Sequence, residues 1–277
     1  MKTKFNAEEV ISKIATDGLC QIRNSDLSAE DFNELTNILS DQNLVHGSER
    51  EKITEDDSVQ EVTKGNDWVP PHMEMGRMPV QPDIAAFFCE KPAELGGETI
   101  VVDGKAVFES LPNDVIEYFS RNKIKYTATM DLPYWSRAWG CETMDDVRKL
   151  VMAKFSDPSL SFSFLDNMCV DASFSTSAFK HKKDGSIHFT NSIYGPYEGG
   201  GGGRLTDENN FKITQNLLDA ISNVYLDLEQ VVPLSAGDMV IMDNKRFMHG
   251  RNKFSGSNRR IYAKFFNIEC IGALYED

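Results

Sequence analysis

The sequence predicts a β-rich α+β fold, one barrel or sandwich with helices on its flanks. Three observations predict it. Short runs with strand character recur between residues 84 and 268. Helical segments interrupt them without a regular β–α alternation. No internal repeat and no Pro/Gly/Ser-rich linker divides the 277 residues. A chain of this length suits one large domain, and an apolar fraction of 40% is enough for a packed core and excludes global disorder. The expected organisation is one domain over 1–277. Residues 1–64 add helices and a strand to a core formed by 65–277, which carries a helical insert.

The elements follow in order. Asn6 with Glu9, ahead of Val10, Ile11 and Ile14, reads as a cap and helix face. Ser28 with Asp31, ahead of Phe32, Leu35, Ile38 and Leu39, repeats that pattern, and Leu19–Arg23 between them reads as a strand. Residues 41–66 are polar and read as loop-rich. Strands are expected at Ile84–Cys89, Ile100–Val102, Lys123–Thr129, Ile187–Thr190, Met239–Asp243 and Arg260–Ile268. Helices are expected at Leu111–Ser120 behind Ser110, after the Thr143/Asp146 cap, and from Thr206 through Leu217, Leu218, Ile221 and Val224. Gly199–Gly203 is the one low-complexity tract. It lacks the Lys-[Ser/Thr] of a phosphate loop and reads as a surface loop, with a lid over a nearby site as the functional alternative.

Charge and cysteines exclude several functions. With 29 Lys+Arg against 43 acids the net charge is −14, which speaks against binding nucleic acid or anionic membranes. Five cysteines without a C-x-x-C argue against a disulfide scaffold or structural zinc site. The first ten residues lack the apolar core of a secretory signal. No apolar run approaches the roughly 20 residues of a membrane span. A reducing, cytoplasmic setting is expected.

Five histidines can be weighed singly. His46 has nothing suggestive beside it, His181 sits among lysines and is expected in solvent, and His188 reads as a satisfied core histidine. His72 is followed by Glu74, and in extended chain residues i and i+2 share a face. An imidazole beside a carboxylate is half of a divalent-metal site, though H-x-E alone is common. The distal segment adds weight. Met239–Asp243 reads as a strand, a short turn after Asn244 delivers His249, and Arg259-Arg260 opens a last strand. Alternation there places Arg260, Tyr262, Lys264 and Phe266 on one face, which would aim two cations into a barrel interior. Buried cations need an anionic partner, such as a small dicarboxylate.

These segments together resemble a known family. His72-Met-Glu74-Met75, then Phe88-Cys89-x-x-Pro92-Ala93-x-x-Gly96-Gly97-Glu98-Thr99, then Asp243-Asn244…His249-Gly250-Arg251 and Arg259-Arg260 are similar to the taurine dioxygenase/clavaminate synthase-like family of Fe(II)- and 2-oxoglutarate-dependent oxygenases. The resemblance spans residues 65 to 268, with the elements in the family's order. It implies a double-stranded β-helix (jelly-roll) core. It implies that His72, Glu74 and His249 hold Fe(II), and that Thr99 and Arg260 hold the far carboxylate of 2-oxoglutarate, with O2 as the other co-substrate. A guanidinium suits that carboxylate because it grips bidentately and stays charged. Glu74 stands where many members have Asp; being a carboxylate, it argues against halogenation, which needs a small residue there. Lys264 stands where some members place a substrate-binding arginine.

The implied reaction is C–H hydroxylation of a small molecule, an amino acid or derivative of specialised metabolism carrying a carboxylate, with succinate and CO2 as co-products. Desaturation or oxidative cyclisation is the alternative. A non-catalytic acid-binding barrel and an oxygenase acting on nucleic acid or protein rank lower. Substrate-facing candidates are Arg77, Asn191, Arg251 and Lys264, each with an ion-pairing or packing alternative. Trp135, Arg137 and Trp139 lie in a stretch that could shape the pocket.

Overall fold

A computed structural model of the chain describes residues 6–23, 26–45, 50–62, 65–195 and 203–276, apart from the side chains of 137 and 138. His46, Gly199–Gly202 and the Arg137 side chain lie outside the described residues. The order opens with α1 (Ala7–Asp17), β1 (Leu19–Ile22) and α2 (Ala29–Leu39). Next come β2 (Gln42–Leu44), β3 (Val59–Glu61), β4 (Val69–His72), β5 (Ile84–Lys91), β6 (Leu95–Gly96) and β7 (Thr99–Asp103). Helices α3 (Gly104–Ser110) and α4 (Asn113–Arg121) precede β8 (Ile124–Met130), and α5 (Leu132–Trp139) and α6 (Met144–Lys154) precede β9 (Leu160–Phe164) and β10 (Val170–Thr176). Then follow β11 (Phe179–His181), β12 (Ile187–Phe189), β13 (Gly203–Asp207) and α7 (Gln215–Leu228). The order ends with β14 (Gln230–Val232), β15 (Met239–Asp243), β16 (Phe247–Arg251), β17 (Phe254–Ser255), β18 (Arg260–Asn267) and α8 (Glu269–Gly272).

Local chemistry explains several boundaries. The Asn6 side chain accepts from Glu9 N at α1, and Ser28/Asp31 and Thr143/Asp146 form reciprocal capping boxes at α2 and α6. Two boundaries differ from the sequence expectation. Thr206 lies in strand β13, and the helix with Leu217, Leu218, Ile221 and Val224 starts only at Gln215. Ser110 ends α3; Pro112, pre-set for a first helical turn, heads α4 instead. The polar 41–66 stretch contributes β2 and β3, which pair with β18.

Two antiparallel sheets form the centre. One has the order β1-β15-β5-β18-β2, with β3 also on β18; the other is β14-β7-β16-β4. A third sheet, β13-β8-β10-β9, stands beside them. The first sheet is covered on both faces, which is why its strands are apolar almost throughout. Ile84, Ala86 and Phe88 of β5 face a core under α1 and α2, with Met239 and Ile241 of β15. Ala85, Phe87 and Cys89 face the second sheet, meeting Val101, Val232 and Phe247.

Strand β18 follows the same division, and it corrects one expectation. Ile261, Ala263 and Phe265 face the second sheet, while Tyr262 and Phe266 face the helices. The face with Lys264 therefore points away from the interior between the sheets. Lys264 is fully buried under α2, donating to Asn33 Oδ1 at 3.0 Å and Asn37 Oδ1 at 2.6 Å. Two amide oxygens replace its hydration, so it is a structural cation and no part of a substrate site. His188 is a buried core histidine, with Nδ1 3.2 Å from the Tyr275 hydroxyl, which donates to Asp243 Oδ2 at 2.6 Å. Burial lowers the His188 pKa to about 4 and raises the Asp243 carboxyl to about 6.

Two predictions follow from this packing. Lys264→Ala opens a cavity and removes the donor shared by the Asn33 and Asn37 amides. It should cost about 2–4 kcal/mol in urea unfolding, while Mn(II) affinity by calorimetry stays at wild type; a loss of metal binding would contradict the placement. His188 stays neutral in the fold down to about pH 4, whereas the unfolded chain takes up a proton below about 6.5. Stability must fall as pH drops through that window, by up to about 1.4 kcal/mol per unit from this group. Unfolding free energies of His188→Gln between pH 6.5 and 4 should show a slope shallower by about one proton.

Candidate active site

Strand pairing builds the centre of the site. Strands β4 and β16 run antiparallel with His72 directly opposite His249, so both imidazoles leave the same face. The next pair in register is Arg251 with Val69, so a bulge separates the two pairs. Gly250 sits at that bulge, where a Cβ would lie 2.4 Å from Val69 O. A side chain there would push β4, and His72 with it, away from β16. His249 belongs to a strand, and the turn expected before it covers only residues 244–246.

Glu74 lies past the end of β4, in a turn held by buried partners. The fully buried Asn244 accepts from Glu74 N at 2.9 Å and donates to Glu74 O at 3.1 Å and Pro82 O at 3.0 Å. One amide thus fixes both backbone groups of Glu74. The preceding Met73 N donates to Asn191 O at 2.9 Å, and Ser192 Oγ donates to Met73 O at 2.7 Å. Met75 takes a left-handed φ of 53°, turning the chain away behind the carboxylate.

The ligand atoms of His72, Glu74 and His249 lie within 4.8 Å of one another. Glu74 Oε2 is 3.3 Å from His249 Nε2 and 4.0 Å from His72 Nε2. His72 Nδ1 lies 2.8 Å from Pro70 O. A carbonyl can only accept, so in the neutral ring Nδ1 carries the hydrogen and Nε2 keeps its lone pair toward Glu74. Burial, then the neighbouring His249, hold the His72 pKa down to about 4, so it is neutral at pH 7 as a ligand must be. The His249 ring packs on Phe87, centroids 4.8 Å apart. The other oxygen, Glu74 Oε1, takes a hydrogen bond from Arg50 at 3.2 Å in a pair that is almost wholly buried. Two imidazoles and one carboxylate with converging atoms fit a divalent metal with open positions.

The triad opens into a cavity of about 700 Å³. Thr99 lines it from β7, directly opposite Arg251 on β16. The arginine that lines it from the head of β18 is Arg259; Arg260 is exposed and stands beside Glu61 outside. The register shifts between Arg260, opposite Lys91, and Ile261, opposite Cys89. Arg259 keeps the inward side of Ile261, Ala263 and Phe265, so Arg260 is corrected to a surface position. Arg259 donates from Nε to Gly97 O at 3.2 Å and lies over the Phe254 ring. Burial, then Arg251, lower its pKa to about 10; among the described residues no carboxylate pairs with it.

The other candidates divide. Arg77 lines the cavity, but its guanidinium donates to the carbonyls of Ser192 and Gly195 and lies over Tyr126. Arg251 lines it too, donating to Asp67 O at 2.8 Å. The Asn191 side chain is buried behind the wall and does not line the cavity; its Oδ1 accepts from Ile193 N. Trp139 lines the cavity, and Trp135 is fully buried in the satellite core of α5 and α6. Sequence reasoning passed over Arg50, which lies in a polar stretch without periodicity. It quoted Asn244 without a role, since its partner is 170 positions away.

Asn244→Ala releases the backbone of Glu74. It should weaken Mn(II) binding by about 10–100-fold in a calorimetric titration, and wild-type affinity would show that Asn244 does not position the ligand.

Over residues 3–263 the chain matches the family described as "Taurine catabolism dioxygenase TauD, TfdA family". No curated protein matches it. PvcB from Pseudomonas aeruginosa is similar in structure, with a TM-score of 0.60 at 12% identity over 97% of this chain and 82% of that one. A second PvcB structure, of "an Fe, alpha-ketoglutarate dependent oxygenase from an isonitrile synthetic pathway", gives 0.58 at 13% identity over the same shares. AAD-2, in complex with Mn(II) and N-oxalylglycine, gives 0.57 at 14% identity over 94% of this chain and 86% of that one. At these identities the structural likeness speaks for the fold. The family match covers nearly the whole chain, and the His72–Glu74–His249 cluster fits the metal such enzymes use: the chain belongs to the TauD/TfdA family of dioxygenases, which are iron- and 2-oxoglutarate-dependent oxygenases.

Proposed function

We propose that this chain hydroxylates an unactivated C–H bond of a small molecule at a centre held by His72, Glu74 and His249. The convergence of those three side chains on one wall of the cavity carries the reading. Bound iron(II) with 2-oxoglutarate and O2 supplies the oxidising power, yielding succinate and CO2 beside the product. The protein's part is positional. Its two sheets, read as a double-stranded β-helix, hold the ligands rigid and keep water from the reacting carbon. Thr99 and Arg259 take the far carboxylate of 2-oxoglutarate, with Arg259 in the role expected of Arg260. Arg50 holds Glu74 Oε1, which leaves Oε2 as the ligating oxygen.

Arg251, next to Arg259, is the cavity cation placed to meet an acidic group on the substrate, consistent with an amino acid or derivative of specialised metabolism. The alternative outcome is desaturation or oxidative cyclisation, decided by where the substrate carbon sits. Product mass separates them: hydroxylation adds one oxygen atom, and the alternative removes two hydrogens. Among the described residues no helix is long and apolar enough to cross a membrane. Five free thiols, three of them buried, support a reducing, cytoplasmic setting.

The test is succinate release from 2-oxoglutarate under iron(II) and O2. It should be abolished in His249→Ala. Arg259→Ala should raise the KM for 2-oxoglutarate by about 100-fold, the loss of a charge-assisted bidentate contact, while Arg260→Ala leaves it unchanged. The reverse ranking would restore Arg260.

A further inference from the structure

The cavity has two chemically different ends. Its described charged side chains gather around the triad and β16: Arg50 on Glu74, Arg77 beside the loop carbonyls, and Asp67, Arg251 and Arg259 near Thr99. Another wall is formed by the third sheet. There β8 presents Tyr126 and Ala128 at alternate positions, with Phe174 of β10 opposite Tyr126 and Ala172 opposite Ala128. Phe162 of β9 stands opposite Ala172. Two facing alanines between rows of larger side chains leave a flat depression in that wall. Its rim is aromatic: Trp139, Phe155 and Phe162 contact one another with ring centroids 5.5 to 6.4 Å apart. One cation touches its edge, Arg77 over the Tyr126 ring and held there by loop carbonyls; around Ala128, Ala172 and Phe162 no charged side chain lines the cavity among the described residues.

The physics of such a wall is selective. A charged group placed there would lose its hydration with no partner in return. A flat ring would bury about 150–250 Å² and find edges and faces of other rings around it. The volume of about 700 Å³ also exceeds what a five-carbon diacid needs. We infer that this wall seats the substrate, and that the substrate carries an uncharged aromatic ring. The ring lies on the Ala128–Ala172 depression and directs the carbon to be oxidised toward the triad. The inference rests on the oxygenase reading for the word substrate, but the ring-binding seat stands or falls separately.

Three probes share a propanoate-type head and differ in body: 3-(2-naphthyl)propanoate, hexanoate and 3-(4-carboxyphenyl)propanoate. Their affinities are measured by calorimetry and Trp fluorescence on the full chain, with and without Mn(II) and N-oxalylglycine. The naphthyl acid should bind at least about tenfold more tightly than hexanoate, as expected from burying a ring, and the doubly charged probe more weakly than either. Ala172→Phe fills the depression and should weaken naphthyl binding by about tenfold or more, with Mn(II) affinity retained. Ala128→Leu is the milder variant should the first fail to fold. Hexanoate or the dicarboxylate binding as tightly as the naphthyl acid overturns the inference, as does naphthyl binding untouched by a folded variant. Succinate release without any added acid reports the oxygenase reading alone. Its absence beside tight naphthyl binding would sink that reading and leave the seat; its presence without a ring preference would do the opposite.

Discussion

The site depends on one strand register: His249 on β16 directly opposite His72 on β4. A slip by one residue would send one imidazole to the other face of the sheet. Gly250 lets the two backbones approach at the bulge beside that pair. The carboxylate needs different support because it lies past the strand end, where no ladder holds it. Asn244 supplies it from the turn between β15 and β16, so one short segment fixes Glu74 and then delivers His249. Two ligands from distant parts of the chain are thereby tied to the same few residues.

Burial on both faces of the first sheet accounts for the placement of the cations. Successive residues of β18 belong to different cores, one under the helices and one between the sheets. Lys264 falls on the helix side and is satisfied by Asn33 and Asn37. Arg259 falls on the cavity side and is left with a carbonyl and a ring. Both are costly to bury, but only the second opens toward space where an anion can sit. In a chain of net charge −14, a dianionic co-substrate approaches against the overall field. The arginines gathered around the triad reverse that field locally.

Local signals were legible where the chemistry is local. The Asn6, Ser28 and Thr143 caps, the β5 and β15 runs and the H-x-E pair all lie within a few residues of what they specify. Reading failed where a distant partner decided. The face of β18 was misassigned because alternation alone does not say which side is covered by helices. Thr206 looked like a cap because nothing nearby marks the edge pairing of β13 with β8. Arg50 gave no signal, since its contacts are distant ones, with Glu74, 24 positions on, and with the Phe265 ring.

The sequence by itself determined the class of chemistry: which side chains could bind a metal, in what order they occur, and which family they resemble. These depend on residue identity and short spacing. Only the tertiary structure decided which of two adjacent arginines enters the cavity, because the helices cover the face of β18 that carries Tyr262 and Phe266 and leave the alternate face, continued by Arg259, toward the second sheet. It alone showed that Lys264 is a core cation, and that the third sheet lines the cavity with an alanine pair among aromatic side chains. Those properties belong to cross-strand pairs such as Ala128 and Ala172, side chains that meet only once the sheet has formed.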